Sequence, residues 1–159
     1  MQPTTGPRPG RPLRVLFLCT GNACRSQIAE AWSRHLKPDA VEPYSAGTHP
    51  RGLDPLAVKA MAEVGLDISG HSSKALSAVS HIPFAYVVTV CSDAHESCPM
   101  FPGRAKVVHV AFDDPPRLAA DAASEEDARR HYRRVRDEIR AFIAQLPDVL
   151  LTHKEEMNV

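Results

Sequence analysis

In the stretch LCTGNACRS, Leu18 to Ser26, Cys19 and Arg25 are separated by five residues inside a short glycine-containing loop. An apolar run precedes the loop and an amphipathic one follows it. Backbone N–H groups in such a loop can point inward as an anion-binding nest, and the N-terminus of a following helix adds positive potential. Arg25 offers a planar fork suited to a tetrahedral oxyanion. The same field stabilises a thiolate: helix N-termini and cationic neighbours lower a cysteine pKa from about 8.5 to roughly 3.5–7.5. Cys19 therefore reads as a nucleophile facing the anion it attacks. The candidate oxyanion cradle is Thr20, Gly21, Asn22, Ala23, Cys24, Arg25 and Ser26, with Ser26 placed to donate to the sulfur and Asn22 to fix the loop. The Gly-Lys-Ser/Thr ending of a nucleotide-binding loop is missing. Cys24 reads as a small core residue.

Two further cysteines, Cys91 and Cys98, bracket the segment CSDAHESC. Four thiols in a domain of this size point to redox, metal or catalytic use, or to burial. Cys91, His95 and Cys98 could supply three soft metal ligands, but no second ligand pair sits at standard spacing, and a solvated loop is the simpler reading of His95. FDDPP supplies adjacent carboxylates at Asp113 and Asp114, a weak signal until placed beside Cys19.

These residues need elements to bring them together. RVLFL (Arg14–Leu18) is a continuous apolar run, as a strand buried on both faces would be. From Ser26 the pattern turns helical, with Ile28, Ala29, Trp32 and Leu36 on one stripe and Pro38 stopping it. VEPYSA (Val41–Ala46) is a weaker strand. DPLAVKAMAEVG begins with Asp54 as N-cap and Pro55 in the first turn, and closes on Gly65. AYVVTV (Ala85–Val90) and AKVVHVAF (Ala105–Phe112) are further strands. From Ser124 to Leu146 the positions Ala128, Tyr132, Val135, Ile139, Phe142 and Leu146 step by four, three, four, three and four, an amphipathic helix ending at Pro147. Ser124 with Asp127 resembles a capping box, and the arginines at 129–136 read as its solvated face. Strands alternating with helices imply βαβ units and a parallel sheet covered on both faces. The loop after the first strand, Cys91 after AYVVTV, and Asp113 and Asp114 after AKVVHVAF then fall at one end of that sheet, where ligands bind.

Lysine plus arginine equals aspartate plus glutamate at 19 each in 159 residues, a balance that gives no footing for nucleic acid or an anionic membrane surface. No stretch is long enough to span a bilayer, and no apolar signal core opens the chain. Residues 1–13 hold four prolines and two glycines and are expected to be a disordered tail. The expected organisation is one domain over residues 14–150 and a flexible tail over 151–159.

CTGNACRSQIAEAW resembles the active-site loop of the thioredoxin-coupled arsenate reductases, which share the low-molecular-weight tyrosine phosphatase fold. The similarity continues through YSAGTHP, DPLAVKAMAEVGLDISGHSS, VVTVCSDAHESCP, FDDPP and RRVRDEIRAFI, covering nearly everything after residue 13. It implies an α/β fold: three α/β/α layers around a four-stranded parallel sheet. It also implies a cytoplasmic enzyme of arsenic detoxification without an organic cofactor. In the implied cascade, Cys19 attacks arsenate held by the loop and Arg25 while Asp114 protonates the departing oxygen. Cys91 then attacks Cys19 and releases arsenite. Cys98 attacks Cys91, and the resulting Cys91–Cys98 disulfide passes to thioredoxin, with mycothiol or glutaredoxin as the alternative reductants.

If residues 91–98 were helical, the two α-carbons would lie roughly 10 Å apart. A disulfide needs them within about 7 Å, so the segment is expected to rearrange during the last exchange. The rival readings are a low-molecular-weight tyrosine phosphatase with Cys19 as nucleophile, and a non-catalytic thiol module that binds arsenite or a soft metal. Pro116 and Arg117 stand where such phosphatases usually carry aromatic residues, which counts against a phosphotyrosine pocket. Some relatives hold potassium near the loop. Asn22, Glu30, Ser45 and Ser72 match positions used there, but Lys74 replaces an aspartate ligand, so potassium independence is expected. His71 is expected to serve its turn, or to hydrogen-bond near that place.

Overall fold

The structure, a computed structural model, describes residues 11–92, 101 and 103–152. Four strands, β1 (Leu13–Cys19), β2 (Val41–Gly47), β3 (Tyr86–Thr89) and β4 (Lys106–His109), form one parallel sheet in the order β2-β1-β3-β4. The helices are α1 (Arg25–Leu36), α2 (Pro55–Ala62), α3 (Pro115–Ala119), α4 (Glu125–Ile143) and α5 (Asp148–Thr152).

β1 is continuous in apolar residues because it is central: Val15, Leu16, Phe17 and Leu18 are all fully buried. The pleat sends Val15, Phe17 and Cys19 to the face that packs on Ile28 and Trp32 of α1, Ala57 and Met61 of α2, and Tyr132, Val135 and Ile139 of α4. Leu16 and Leu18 face a smaller cluster with Ala46, Val79, Phe84 and Val87. The two neighbours of β1 are β2 and β3, so strand order reverses at its carboxyl end, directly before the Cys19 loop.

Local chemistry sets the helix ends. Asp54 accepts from the Leu56 N–H at 3.0 Å and caps α2, with Pro55 as its first residue. Ser124 accepts from the Asp127 N–H at 3.1 Å and caps α4, whose first turn carries Glu125, Glu126 and Asp127.

The structure differs from the sequence reading in three places. β4 is four residues long rather than eight; it is an edge strand with Lys106 and His109 exposed, and the chain beyond it turns toward the site. A 3-10 turn (Leu76–Ala78) and the short helices α3 and α5 lack the length for a periodic signal. Leu13 is already buried strand, and α5 runs to Thr152 with Leu150 buried, so both expected tail boundaries fall inside regular structure.

Candidate active site

The chain from Thr20 to Cys24 is held with its carbonyls turned outward. The Thr20 carbonyl accepts from the His49 N–H at 2.8 Å, and that of Gly21 from the Arg51 N–H at 3.0 Å and the Ser73 hydroxyl at 2.9 Å. The Asn22 carbonyl accepts from Gln27 Nε2 at 3.1 Å, and the Ala23 carbonyl from the Asp54 N–H at 3.0 Å. In a trans peptide the N–H lies opposite the carbonyl. Turning this run of carbonyls out therefore aims the N–H groups of Gly21, Asn22, Ala23 and Cys24 inward, the condition for an anion nest. Asn22 takes the left-handed conformation that lets the loop close, at φ 46°. Gly47, at the end of β2, makes room: a Cβ there would lie 2.5 Å from the Thr20 carbonyl oxygen and 2.8 Å from the Asn22 nitrogen.

Hydrogen-bond logic fixes which groups face the Cys19 sulfur. Asn22 Oδ1 accepts from the Lys74 N–H at 2.8 Å, a donor that cannot reverse, so Asn22 Nδ2 is the atom on Ser26 Oγ at 2.8 Å. Ser26 Oγ, which accepts there, lies 3.0 Å from Cys19 Sγ, and its proton can be given to a thiolate at that position. The Asn22 N–H donates to the same sulfur at 3.2 Å. Gln27 Nε2 donates to the carbonyls of Asn22 and Ser72, so its Oε1 accepts from His71 Nδ1 at 3.0 Å and fixes the proton on that nitrogen. Burial lowers the pKa of the His71 ring, in keeping with a neutral imidazole. His71 also closes its turn, its N–H donating to the Ile68 carbonyl, so it fills both roles expected of it.

Arg25, 5% exposed, reaches across the strand ends: Nη1 donates to the Phe112 carbonyl at 3.0 Å and the Val90 carbonyl at 3.4 Å. Its Nη2 lies 3.5 Å from Asp114 Oδ1. Asp113, by contrast, is turned outward to Arg134 at 2.9 Å. Of the two adjacent carboxylates, then, the second faces the loop. Cys24 is buried at the start of α1, and burial, with Asp54 nearby, pushes its thiol pKa well up. A protonated, enclosed thiol is inert, as its sequence context suggested.

Cys91 directly follows β3. The Val90 N–H donates to the Leu18 carbonyl at 3.1 Å, which carries Cys91 past the same sheet end as Cys19. Cys91 is fully buried and disulfide-bonded, whereas Cys19 and Cys24 are free thiols. Cys98, His95 and the expected rearrangement of residues 91–98 lie, from residue 93 onward, outside the described residues.

The positions compared with a potassium site are near one another but already engaged. Glu30 accepts from Ser45 at 2.6 Å and pairs with Arg34 at 2.8 Å; the Lys74 ammonium donates to the Ser72 carbonyl at 2.8 Å. Ser72 and Glu30 therefore hold the chain's own cations, which is a poor fit for a metal ion. Among the described residues no group of three or more histidine, cysteine, aspartate or glutamate side chains is placed to hold one.

The sequence reading missed Gln27, Gly47, Asp54 and Tyr132 as supports of the loop. Tyr132 donates to Asp54 Oδ2 at 2.6 Å, pinning the residue whose N–H turns the Ala23 carbonyl outward; burial first, and then this bond, raises the phenol pKa. A polar glutamine on the buried side of α1 was the one available signal, since the other three gain their roles only from contacts distant in sequence.

Comparison with known proteins agrees with this geometry. The family model for low molecular weight phosphotyrosine protein phosphatase matches residues 14–156. A Bacillus subtilis protein named arsenate reductase is 46% identical over 125 residues, spanning 79% of this chain and 88% of that one. The crystal structure of arsenate reductase from Archaeoglobus fulgidus superposes with a TM-score of 0.66 at 29% identity, covering 83% of this chain and 97% of that one. A Corynebacterium glutamicum thioredoxin-dependent arsenate reductase gives 0.62 at 28% identity, over 90% of this chain and 64% of that one.

Proposed function

The chain belongs to the low-molecular-weight phosphotyrosine protein phosphatase family, and on that premise we propose that it works as an arsenate reductase recycled by thioredoxin. Arsenate is held by the inward N–H groups of residues 21–24 and by Arg25. Cys19 attacks the arsenic and displaces one oxygen, which leaves as water after Asp114 supplies a proton. Cys91 as a thiolate attacks Cys19 Sγ; the electron pair of the sulfur–arsenic bond stays on arsenic, arsenite departs, and a Cys19–Cys91 disulfide forms. Cys98 attacks Cys91 and frees Cys19, and thioredoxin supplies the two electrons that restore the Cys91–Cys98 pair. We place the reaction in the cytoplasm, the compartment whose thioredoxin keeps thiols reduced. In the described residues no helix is long and apolar enough to cross a membrane.

The observation that carries this reading over a phosphatase is the second thiol. Cys91 is buried beside the end of β1 and oxidised while Cys19 remains free. Phosphate ester hydrolysis needs only a nucleophilic cysteine, an arginine and an acid, and in a phosphatase Cys91 and Cys98 would merely protect Cys19 from oxidation. The test is arsenate turnover with thioredoxin, its reductase and NADPH, alongside aryl phosphate hydrolysis, for the wild type and Cys98→Ser. Steady arsenate turnover that Cys98→Ser abolishes is the expected result. Efficient phosphate hydrolysis that survives the substitution would make the chain a phosphatase, and stoichiometric arsenite uptake without turnover would make it a binding module.

A further inference from the structure

We propose that Arg51 is a rim cation that draws the oxyanion substrate into the loop and raises its affinity without touching the reacting atoms. The inference rests on the oxyanion-binding reading above and adds a residue to it. The Arg51 side chain lies along Gly21: a Cβ on that glycine would sit 3.1 Å from Arg51 Nε and 3.4 Å from its Cδ and Cγ. The Arg51 N–H is at the same time bonded to the Gly21 carbonyl, so the residue is fixed to the loop at both backbone and side chain. Its guanidinium is exposed and has no ion pair or side-chain hydrogen bond among the described residues.

Arg11, Arg104, Arg117 and Arg130 likewise have no ion pair among the described residues, but of these five Arg51 is the one whose backbone N–H bonds to the Cys19 loop. Arg14, Arg34, Arg129, Arg133, Arg134 and Arg136 each face a carboxylate. The nearest acid in sequence, Asp54, already serves the Leu56 N–H and the Tyr132 hydroxyl. A cation packed on Gly21 lies within about one Debye length, ~10 Å at 0.1 M salt, of an anion seated on the neighbouring N–H groups. At that range an uncompensated charge acts on encounter rate and on affinity, and both effects weaken as salt is added.

A charge series tests this on the full-length, reduced protein. Arg51→Lys, Arg51→Gln and Arg51→Glu are compared with the wild type by kcat and KM for arsenate at low and high ionic strength. Sulfate protection of Cys19 from iodoacetamide, read by mass on the Cys19 peptide, gives oxyanion affinity without any turnover. The expected result is KM and the sulfate dissociation constant raised about two- to fivefold in Arg51→Gln, more in Arg51→Glu, and close to wild type in Arg51→Lys. The differences shrink at high salt and kcat is unchanged. Equal affinities across the series, or a loss in Arg51→Lys as large as in Arg51→Gln, would overturn the proposal. A wild type that binds sulfate with this charge dependence yet never reduces arsenate would overturn the arsenate reductase reading and leave the Arg51 assignment standing.

Discussion

Arginine performs two different tasks in this molecule, and the contrast separates its chemistry from its scaffold. Around Glu63, just past α2, the side chains of Arg129, Arg133 and Arg136 converge on a single carboxylate. Arg136 is 8% exposed and also donates to the Ala60 carbonyl at 2.9 Å, locking α4 against α2. Arg25 is as deeply buried, but the Val90 and Phe112 carbonyls accept from it, and the Asp114 carboxylate lies 3.5 Å from its Nη2. Neutral acceptors orient a guanidinium without cancelling its charge. The arginines at Glu63 meet an anion supplied by the fold, whereas in the proposed reaction Arg25, beside Asp114, also receives one from solution.

The sharpest way to break this contrast is Arg25→Lys, which keeps the charge and removes the fork. Loss of bidentate donors at a charged oxyanion is expected to lower arsenate kcat/KM by about 10²–10³-fold. Thermal midpoint should fall as well, because the same fork donates to the buried Phe112 and Val90 carbonyls, so kcat/KM is compared at a temperature where both proteins are folded. A lysine variant with near wild-type turnover would show that charge alone suffices. Gly47→Ala should cost about 10–100-fold in kcat/KM, because the added methyl meets backbone at Thr20 and Asn22 that cannot rotate away. Sulfate binding should weaken in parallel. Unaltered sulfate affinity would mean that the loop tolerates displacement and is not pre-organised as described.

The strand, the loop and the Cys19–Arg25 spacing were legible because they are local: an apolar run, a change of period and residues within one short stretch. The choice of Asp114 over Asp113 came from resemblance, because nothing local in FDDPP says that the first turns to Arg134 and the second to Arg25. The arginine run was less legible. It reads as a solvated face, which Arg130 and Arg134 are, but Arg136 is buried and, with Arg129 and Arg133, binds Glu63, which lies 66 to 73 positions earlier in the chain. Gly47 likewise looks like any strand end until the backbone of Thr20 is placed against it. What sequence periodicity reveals is which face of an element is buried, not which distant polar atom it meets there.

Glu63→Gln is the counterpart of Arg25→Lys on the scaffold side. It should reduce stability by about 1–2 kcal/mol while arsenate kcat/KM stays within about twofold. Hydrogen bonding from Arg133, foremost among its partners, holds the Glu63 carboxyl at about 2, below an ordinary glutamate near ~4.3. A carboxyl lowered on folding stabilises the native state above its unfolded pKa and loses that contribution as pH falls through the folded value. The gap in denaturant midpoint between wild type and Glu63→Gln should therefore be full at neutral pH and close progressively between about pH 4 and pH 2. A gap that persists unchanged at pH 2 would remove the ion-pair explanation.

The smallest expected effect concerns a third cation in this pattern. Lys74 donates to the Ser72 carbonyl, Arg34 pairs with Glu30, and both acceptors belong to the set that could otherwise ligate potassium. An ammonium already seated among carbonyl and carboxylate oxygens opposes a second cation by repulsion and by the loss of its ligands. Unfolding midpoint and arsenate kcat/KM are accordingly expected to be equal in potassium and sodium chloride at matched ionic strength. Lys74→Ala then sharpens the point, because removing the ammonium leaves Glu30, Ser45 and the Ser72 carbonyl to recover a preference for potassium if the lysine is what excludes it. Potassium stabilisation of the wild type itself would show that Lys74 and the ion can coexist. The chain would then have an acceptor cluster richer than Lys74 and Arg34 can satisfy.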